Sequence, residues 1–537
     1  MRLGRSGGAR GGSSRGSSGR SRGRGRVISR PRRTGGGGFP TGGGMPSGGG
    51  LPAGGCGPKA GGGMGLIIMV VLLLIVFGGG GLPGGGGGGG GGGGTAERTD
   101  LVGAEAITAD DLEPAEREAL QRFADDLALD VNAYWEVQYP QTYNSRYEQP
   151  DFFPFNPVRP DRTLSCGQRL SPNILANNAI YCPAGDYVTW DEYYLFPKLD
   201  RNFGRASLGV VLSHEWGHAI QGPVRANVSG RTTIFKELQA DCFAGAWVQS
   251  VQNGESSSFS KFDQEQLDGA VAGFLLLRDP PGTDPTQQGA HGSAFDRIGS
   301  FEDGLVNGPD YCASYQEDSA DRPRITPLQF SADDVAGGNL SYDIAVDVVI
   351  NALNEFYGAT LVDRLGEAQL GLDEFRSSAN GVPSCPGSST RSDGIVFYCP
   401  ETTSISWDAD ALEKIHNDVG DFTVSQLFAH EYGHAILDLL GVTGSGEELE
   451  ITADCLAGAW SAAVNEGRLE VPDPENRSSS VPLEMSPGDL DEGLATMLRF
   501  RHPDRDSNGS TDADLFERTR SFQAGFFDGA DSCLGAR

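Results

Sequence analysis

Acidic side chains are missing from the first 77 residues, which carry eleven Arg and one Lys, and basic ones are scarce beyond them, where 30 face 72 Asp and Glu. The formal charge of -30 over 537 residues therefore hides two regions of opposite sign, and so acidic a body excludes nucleic acid as its partner. Histidine is rare, seven in all, and long apolar runs are absent but for one at 66–77. Apolar residues are too few in 1–60, an Arg/Gly/Ser segment, to offset the entropy of ordering, so a disordered basic tail is expected there. The chain is too long for one ordinary domain, and two domains plus low-complexity sequence is the first expectation.

The twelve apolar residues at 66–77 are short for a membrane span, which takes about 20 residues. Flanking glycines extend the uncharged stretch, and a transmembrane signal anchor over 61–82 is expected, with a cleaved secretory signal as the alternative. Twelve positive charges precede it, which predicts a single-pass protein of the cell membrane with a cytoplasmic N-terminus and an extracytoplasmic body. A glycine-rich tether over 83–100 follows. Cys56 precedes the apolar run and is given no role.

The body restates itself. Ser213-His-Glu-Trp-Gly-His-Ala-Ile220 matches Ala429-His-Glu-Tyr-Gly-His-Ala-Ile436, and Glu237-Leu-Gln-Ala-Asp-Cys-Phe-Ala-Gly-Ala-Trp247 matches Glu450-Ile-Thr-Ala-Asp-Cys-Leu-Ala-Gly-Ala-Trp460. Ser300-Phe-Glu-Asp-Gly304 matches Ser521-Phe-Gln-Ala-Gly525. Two tandem domains of one fold are expected, 101–322 and 323–537. Leu120, Phe123, Leu127, Val131 and Tyr134 repeat at helical spacing, short β-rich stretches lie at 187–190 and 403–407, and long helical segments carry the His and Glu motifs, so the fold class is α+β. Four cysteines fall in each copy: Cys166, Cys182, Cys242 and Cys312, then Cys385, Cys399, Cys455 and Cys533. Outside the cell such sets read as disulfides with three connectivities open; the preferred one closes short loops, Cys166 with Cys182 and Cys385 with Cys399. A zinc-thiolate role for Cys242 and Cys455 is the weaker alternative.

His214-Glu-Trp-Gly-His218 and His430-Glu-Tyr-Gly-His434 are both H-E-x-x-H, and residues four apart lie on one face of a helix, where two neutral imidazoles can grip one zinc ion. Glu215 and Glu431 then stand beside the open metal position, as a general base takes a proton from water. A catalytic zinc site needs a third protein ligand, and Glu237 and Glu450, on helices 19 and 16 residues past the second His, supply it. Asp241 and Asp454, one turn later, accept a hydrogen bond from a ligand imidazole and fix its tautomer.

With these residues in place, the chain resembles the bacterial neutral zinc metallopeptidases that carry an N-terminal signal anchor and H-E-x-G-H followed by E-L-Q-A-D-C-F-A-G. The resemblance implies a zincin fold with a Glu-zincin ligand set, and it extends to His291-Gly-Ser293, where His291 is a candidate for oxyanion stabilisation beside its plain reading as a loop histidine. Copy 2 has Asn508-Gly-Ser510 there, with His502 six residues earlier, so zinc binding is the safer expectation for copy 2 than turnover. The resemblance also implies an extended substrate pairing with an edge strand before the catalytic helix, for which 186–190 and 403–407 are the candidates, beside their plain reading as packing strands, a choice the sequence leaves open.

The expectation is a membrane-anchored, extracytoplasmic zinc metalloendopeptidase with one Zn²⁺ per domain, two per chain, acting on a peptide or protein. The rival is a zinc-binding scaffold or pseudopeptidase with one or both domains inactive; metal binding alone has no need of Glu215 and Glu431. The sequence leaves substrate identity and oligomeric state open.

Overall fold

A computed structural model describes residues 1–4, 105–278, 292–316, 323–326, 338–365, 370–376, 383, 385, 395–500 and 515–534. Residues 5–60 of the expected tail, the expected span and tether, and His291, His502 and Asn508 lie outside the described residues. Among the described residues no helix is long and apolar enough to cross a membrane.

The first copy opens with α1 (Pro114–Tyr143), started by a proline at its N-terminus and ended by Asn144 in the left-handed region. Leu120, Leu127 and Val131 are buried, while Phe123 and Tyr134 pack partly buried against the same core. Strands β2 (Asp151–Phe155), β3 (Ala179–Cys182) and β4 (Tyr187–Asp191) follow, then helices α2 (Leu195–Phe203), α3 (Arg205–Gln221), α4 (Thr233–Gln252), α5 (Gln264–Leu277) and α6 (Ala294–Asn307). The second copy repeats the order with α7 (Tyr342–Leu365), β5 (Gly371–Phe375), β6 (Val396–Cys399), β7 (Ser404–Asp408), α8 (Ala409–Val419), α9 (Phe422–Leu439) and α10 (Gly446–Asn465). A hairpin, β8 (Leu469–Pro472) and β9 (Ser480–Glu484), is inserted before α11 (Asp489–Arg499) and α12 (Leu515–Asp528).

Each copy has a three-stranded sheet with the same order, β2-β4-β3 and β5-β7-β6, the first pair parallel and the second antiparallel. This corrects one expectation. Residues 186–190 and 403–407 fall on β4 and β7, which are central, so both their edges are already hydrogen-bonded and cannot accept an added strand. The edges lie on β2 and β3, and on β5 and β6.

Helices α3 and α9 run through the middle of each copy. The successive residues Leu208, Gly209, Val210 and Val211 of α3 are all buried, so the helix is covered on every side. Gly217 permits the crossing of α4: a Cβ there would meet the Ala240 Cα at 2.8 Å, and Gly433 meets Ala453 at the same distance in copy 2. Cys166–Cys182, Cys242–Cys312, Cys385–Cys399 and Cys455–Cys533 are disulfides, so Cys242 and Cys455 offer no thiolate to a metal.

The copies share one continuous core, and they meet through α6 and α12. Phe295 packs on Phe522 and Phe301 on Phe516, with ring centroids 5.9 and 5.7 Å apart. Phe295 and Phe516 occupy the same place in the repeat, as do Phe301 and Phe522, so the contact is reciprocal, like that of a two-fold dimer.

Strand β1 (Arg2–Leu3) pairs antiparallel with β9. The Met1 ammonium is buried there against Asp421 at 2.7 Å, Ser486 at 2.8 Å and Asp489. Burial alone would lower its pKa, but Asp489 and Asp421 raise it to about 10. A cytoplasmic N-terminus on an extracytoplasmic body would require β1 to leave β9, because two strands of one sheet cannot stand on opposite faces of a bilayer.

Candidate metal centres

In copy 1, α3 carries His214 and His218 on one face and α4 brings Glu237 opposite them. His214 Nε2 lies 3.4 Å from Glu237 Oε2 and His218 Nε2 lies 3.5 Å from Glu237 Oε1. In copy 2, α9 and α10 repeat this: His430 Nε2 is 3.1 Å from both His434 Nε2 and Glu450 Oε2, and His434 Nε2 is 3.2 Å from Glu450 Oε1. A tetrahedral ion with ligand bonds of about 2.0–2.1 Å sets its donors roughly 3.3 Å apart, so the spacings suit zinc. In copy 1 the buried His218 Nε2, aimed at this cluster, makes no hydrogen bond among the described residues. The donor set, two imidazoles and a carboxylate, is that of a catalytic zinc site with one position left open.

The imidazoles are held from behind. His214 Nδ1 lies 2.7 Å from Asp241 Oδ1, and His430 Nδ1 lies 2.8 Å from Asp454 Oδ1, which turns each Nε2 to the donor cluster. Burial works against the charge on Asp241, but Arg297 and then His214 outweigh it and hold its carboxyl below the usual range. Asp454 is held low in the same way by Arg518 and then His430. Burial also lowers the affinity of His214 for a proton, and Asp241 with Glu237 reverses this, raising its pKa to about 10; His430 reaches about 10 through Asp454 and Glu450.

Glu215 and Glu431 stay out of the donor cluster. Glu215 Oε2 accepts from the backbone N–H of Tyr181 on β3 at 2.7 Å, and Glu431 Oε2 accepts from Tyr398 on β6 at 2.8 Å. Burial pushes both carboxyls up, opposed by the neighbouring histidines. Each is a carboxylate with raised proton affinity beside a metal position, the requirement for a base near neutral pH.

The structure thus brings together His214, His218, Glu237, Asp241 and Glu215 in one cluster and His430, His434, Glu450, Asp454 and Glu431 in another. Three supporting residues had gone unread in the sequence. Arg297 grips Asp241 with Nε and Nη2 at 2.8 and 2.9 Å, and Arg518 grips Asp454 at 2.6 and 3.3 Å. Both stand three residues before the aligned Ser300 and Ser521, so extending the repeat would have found them. Gln221 is the third: its Oε1 accepts from His218 Nδ1 at 3.0 Å, while its Nε2 donates to Lys236 O and to Gln239.

The profile of a family described as "Putative neutral zinc metallopeptidase" matches residues 32–315, just over half of the chain. Rv2575, an uncharacterised protein of Mycobacterium tuberculosis, is 35% identical over 80 residues, 12% of this chain and 27% of its own length. YpfJ of Escherichia coli, also uncharacterised, is 26% identical over 222 residues, 38% of this chain and 74% of its own. The chain therefore spans about a quarter of the length of the mycobacterial relatives it matches. No solved structure matches it.

Proposed function

The chain belongs to the neutral zinc metallopeptidase family, and from that premise we propose that it is an extracytoplasmic, membrane-anchored zinc metalloendopeptidase of two tandem zincin-like domains, 101–322 and 323–537. The observation that carries this reading is the double convergence of two imidazole Nε2 atoms and a carboxylate, each time with a buried glutamate set beside them and outside the donor set. Zinc, when bound, supplies Lewis acidity toward a scissile carbonyl and toward water. Glu215 then takes a proton from water and returns it to the leaving amine. Asp241 and Gln221 hold the two ligand rings, and the N–H of Tyr181 aims the base.

A peptide substrate lies extended along β3, the edge nearest α3, where backbone pairing gives affinity without demanding a particular sequence. For copy 2 alone a second reading, a zinc-binding scaffold, is favoured by one observation: Leu437 stands where copy 1 has Gln221, so His434 loses that support.

The test is a peptide-library digest by the full-length chain. Cleavage that is lost on chelation and restored by zinc is the expected result; intact peptides after zinc loading would contradict it. Extracytoplasmic placement rests on the four disulfides, and anchoring on 61–82. That topology requires β1 to leave β9, with which it pairs in this structure. Protease added outside intact cells should then cut near 78–94 and release the body, whereas a body protected until the membrane is broken would overturn this topology.

A further inference from the structure

The motif that marks each metal site ends with its aspartate, yet each aspartate is gripped by an arginine from a distant helix. Arg297 on α6 is 56 residues beyond Asp241, and Arg518 on α12 is 64 residues beyond Asp454. The two intervals differ by eight residues, so insertions between the motif and the last helix have been absorbed while the same pair of side chains still meets. Both partners are buried in both copies: Arg297 is 4% exposed and Arg518 11%, with the aspartates wholly covered.

We propose that Arg297 and Arg518 are positioning residues of the two metal sites, each acting through the aspartate that orients the first ligand histidine. The guanidinium is a rigid planar fork, and two parallel N–H···O bonds fix the plane of a carboxylate as well as its place. With Nε on Oδ2 and Nη2 on Oδ1, both Asp241 oxygens are held by Arg297, and Oδ1 also meets His214 Nδ1, the contact that aims Nε2 at the donor cluster. Arg518, Asp454 and His430 form the same three-part relay.

Stability alone is a poor account of the pair. A buried ion pair is often no more stabilising than well-packed apolar side chains of similar volume, yet this one recurs behind both sites after divergence elsewhere. The helices that carry the arginines are also those that join the copies, through Phe295–Phe522 and Phe301–Phe516. Each arginine therefore projects from a helix fixed by the shared core, and the metal site is braced from outside its own motif.

The proposal rests on the zinc reading and is tested on zinc affinity, independently of turnover. The full-length chain, metal-free, is titrated with zinc against a chromophoric chelator, and its unfolding midpoint is measured in chelator. Arg297→Gln should weaken one of the two zinc equivalents about 10- to 100-fold, the range seen when partners of ligands are lost, and leave the other unchanged; Arg518→Gln should weaken the complementary one. Arg297→Lys, which keeps the charge and loses the fork, should fall between Gln and wild type. It carries the test alone if the Gln variant does not fold. Wild-type affinity in these variants would overturn the proposal, as would a weakening wholly matched by lost stability of the metal-free fold. A wild-type chain that binds no zinc would overturn the metal reading and this proposal with it, whereas one that binds two zinc and cuts no peptide would overturn the peptidase reading only.

Discussion

The two copies place the same residue types around a metal position and support them unequally. In copy 1 both imidazoles are tied at Nδ1, His214 to Asp241 and His218 to Gln221, and Gln221 is held in turn by Lys236 O and Gln239. Copy 2 keeps the first tie, His430 to Asp454, but Leu437 replaces Gln221 in the repeat. The third ligand differs as well: Glu237 is 3% exposed and Glu450 31%. A more water-accessible carboxylate and a second imidazole without the glutamine behind it make a site that is less preorganised. Duplication has therefore kept the donor set and relaxed what holds it, and the difference points to copy 1 as the seat of most turnover.

The largest effect separates the bases. Glu215→Gln should abolish nearly all peptide cleavage, a loss of roughly 10² to 10⁴ in rate, while Glu431→Gln removes little. Both variants should bind zinc normally, since neither residue is in the donor set. Equal losses would show two working sites, and a greater loss from Glu431→Gln would reverse the ranking.

A smaller effect sharpens the reason for the difference. Gln221→Leu gives copy 1 the residue of copy 2 and should weaken its zinc about tenfold, the lower end for a lost partner of a ligand. Leu437→Gln should tighten the other site. If neither moves in a chelator competition, the Nδ1 tie of the second histidine is not what distinguishes the copies.

Smallest is an effect at the joint between them. Burial, with Asp491 of copy 2 adding to it, raises the pKa of Asp296 to about 6 against the hydrogen bonds from Thr326. A carboxyl raised in the fold contributes stability fully present below its unfolded pKa near 4 and lost as pH rises through 6. Asp296→Asn removes that loss, so the variant should gain on the order of 1–2 kcal/mol over wild type between pH 4 and 7.5, allowing for weaker bonds to Thr326. Urea midpoints across that range would show it; parallel pH profiles would mean that Asp296 stays ionised in the fold.

The ligand set was readable because helical spacing makes i and i+4 neighbours, and because Glu237 and Asp241 interrupt an otherwise apolar helix. Arg297 was passed over, since one arginine in a helix looks like any surface charge, although the repeat carried three residues back from Ser300 and Ser521 pairs it with Arg518. Gln221 likewise passed for a helix end. The strands at 187–190 and 403–407 were found as strands, but the sequence left open whether they are edge or packing strands: which neighbour pairs on which side depends on β2 and β5, contributed by chain some 30 residues earlier. The contact of α6 with α12 left no local pattern, because Phe295 and Phe301 read as ordinary core positions of one helix.

The central claim is that each copy assembles its own zinc site, and elemental analysis of the purified, metal-reconstituted chain tests it most directly. Two zinc per chain, falling to one when His214 and His218 are both replaced by Ala and to one when His430 and His434 are, is the predicted result. One zinc or none in the wild-type chain would contradict it.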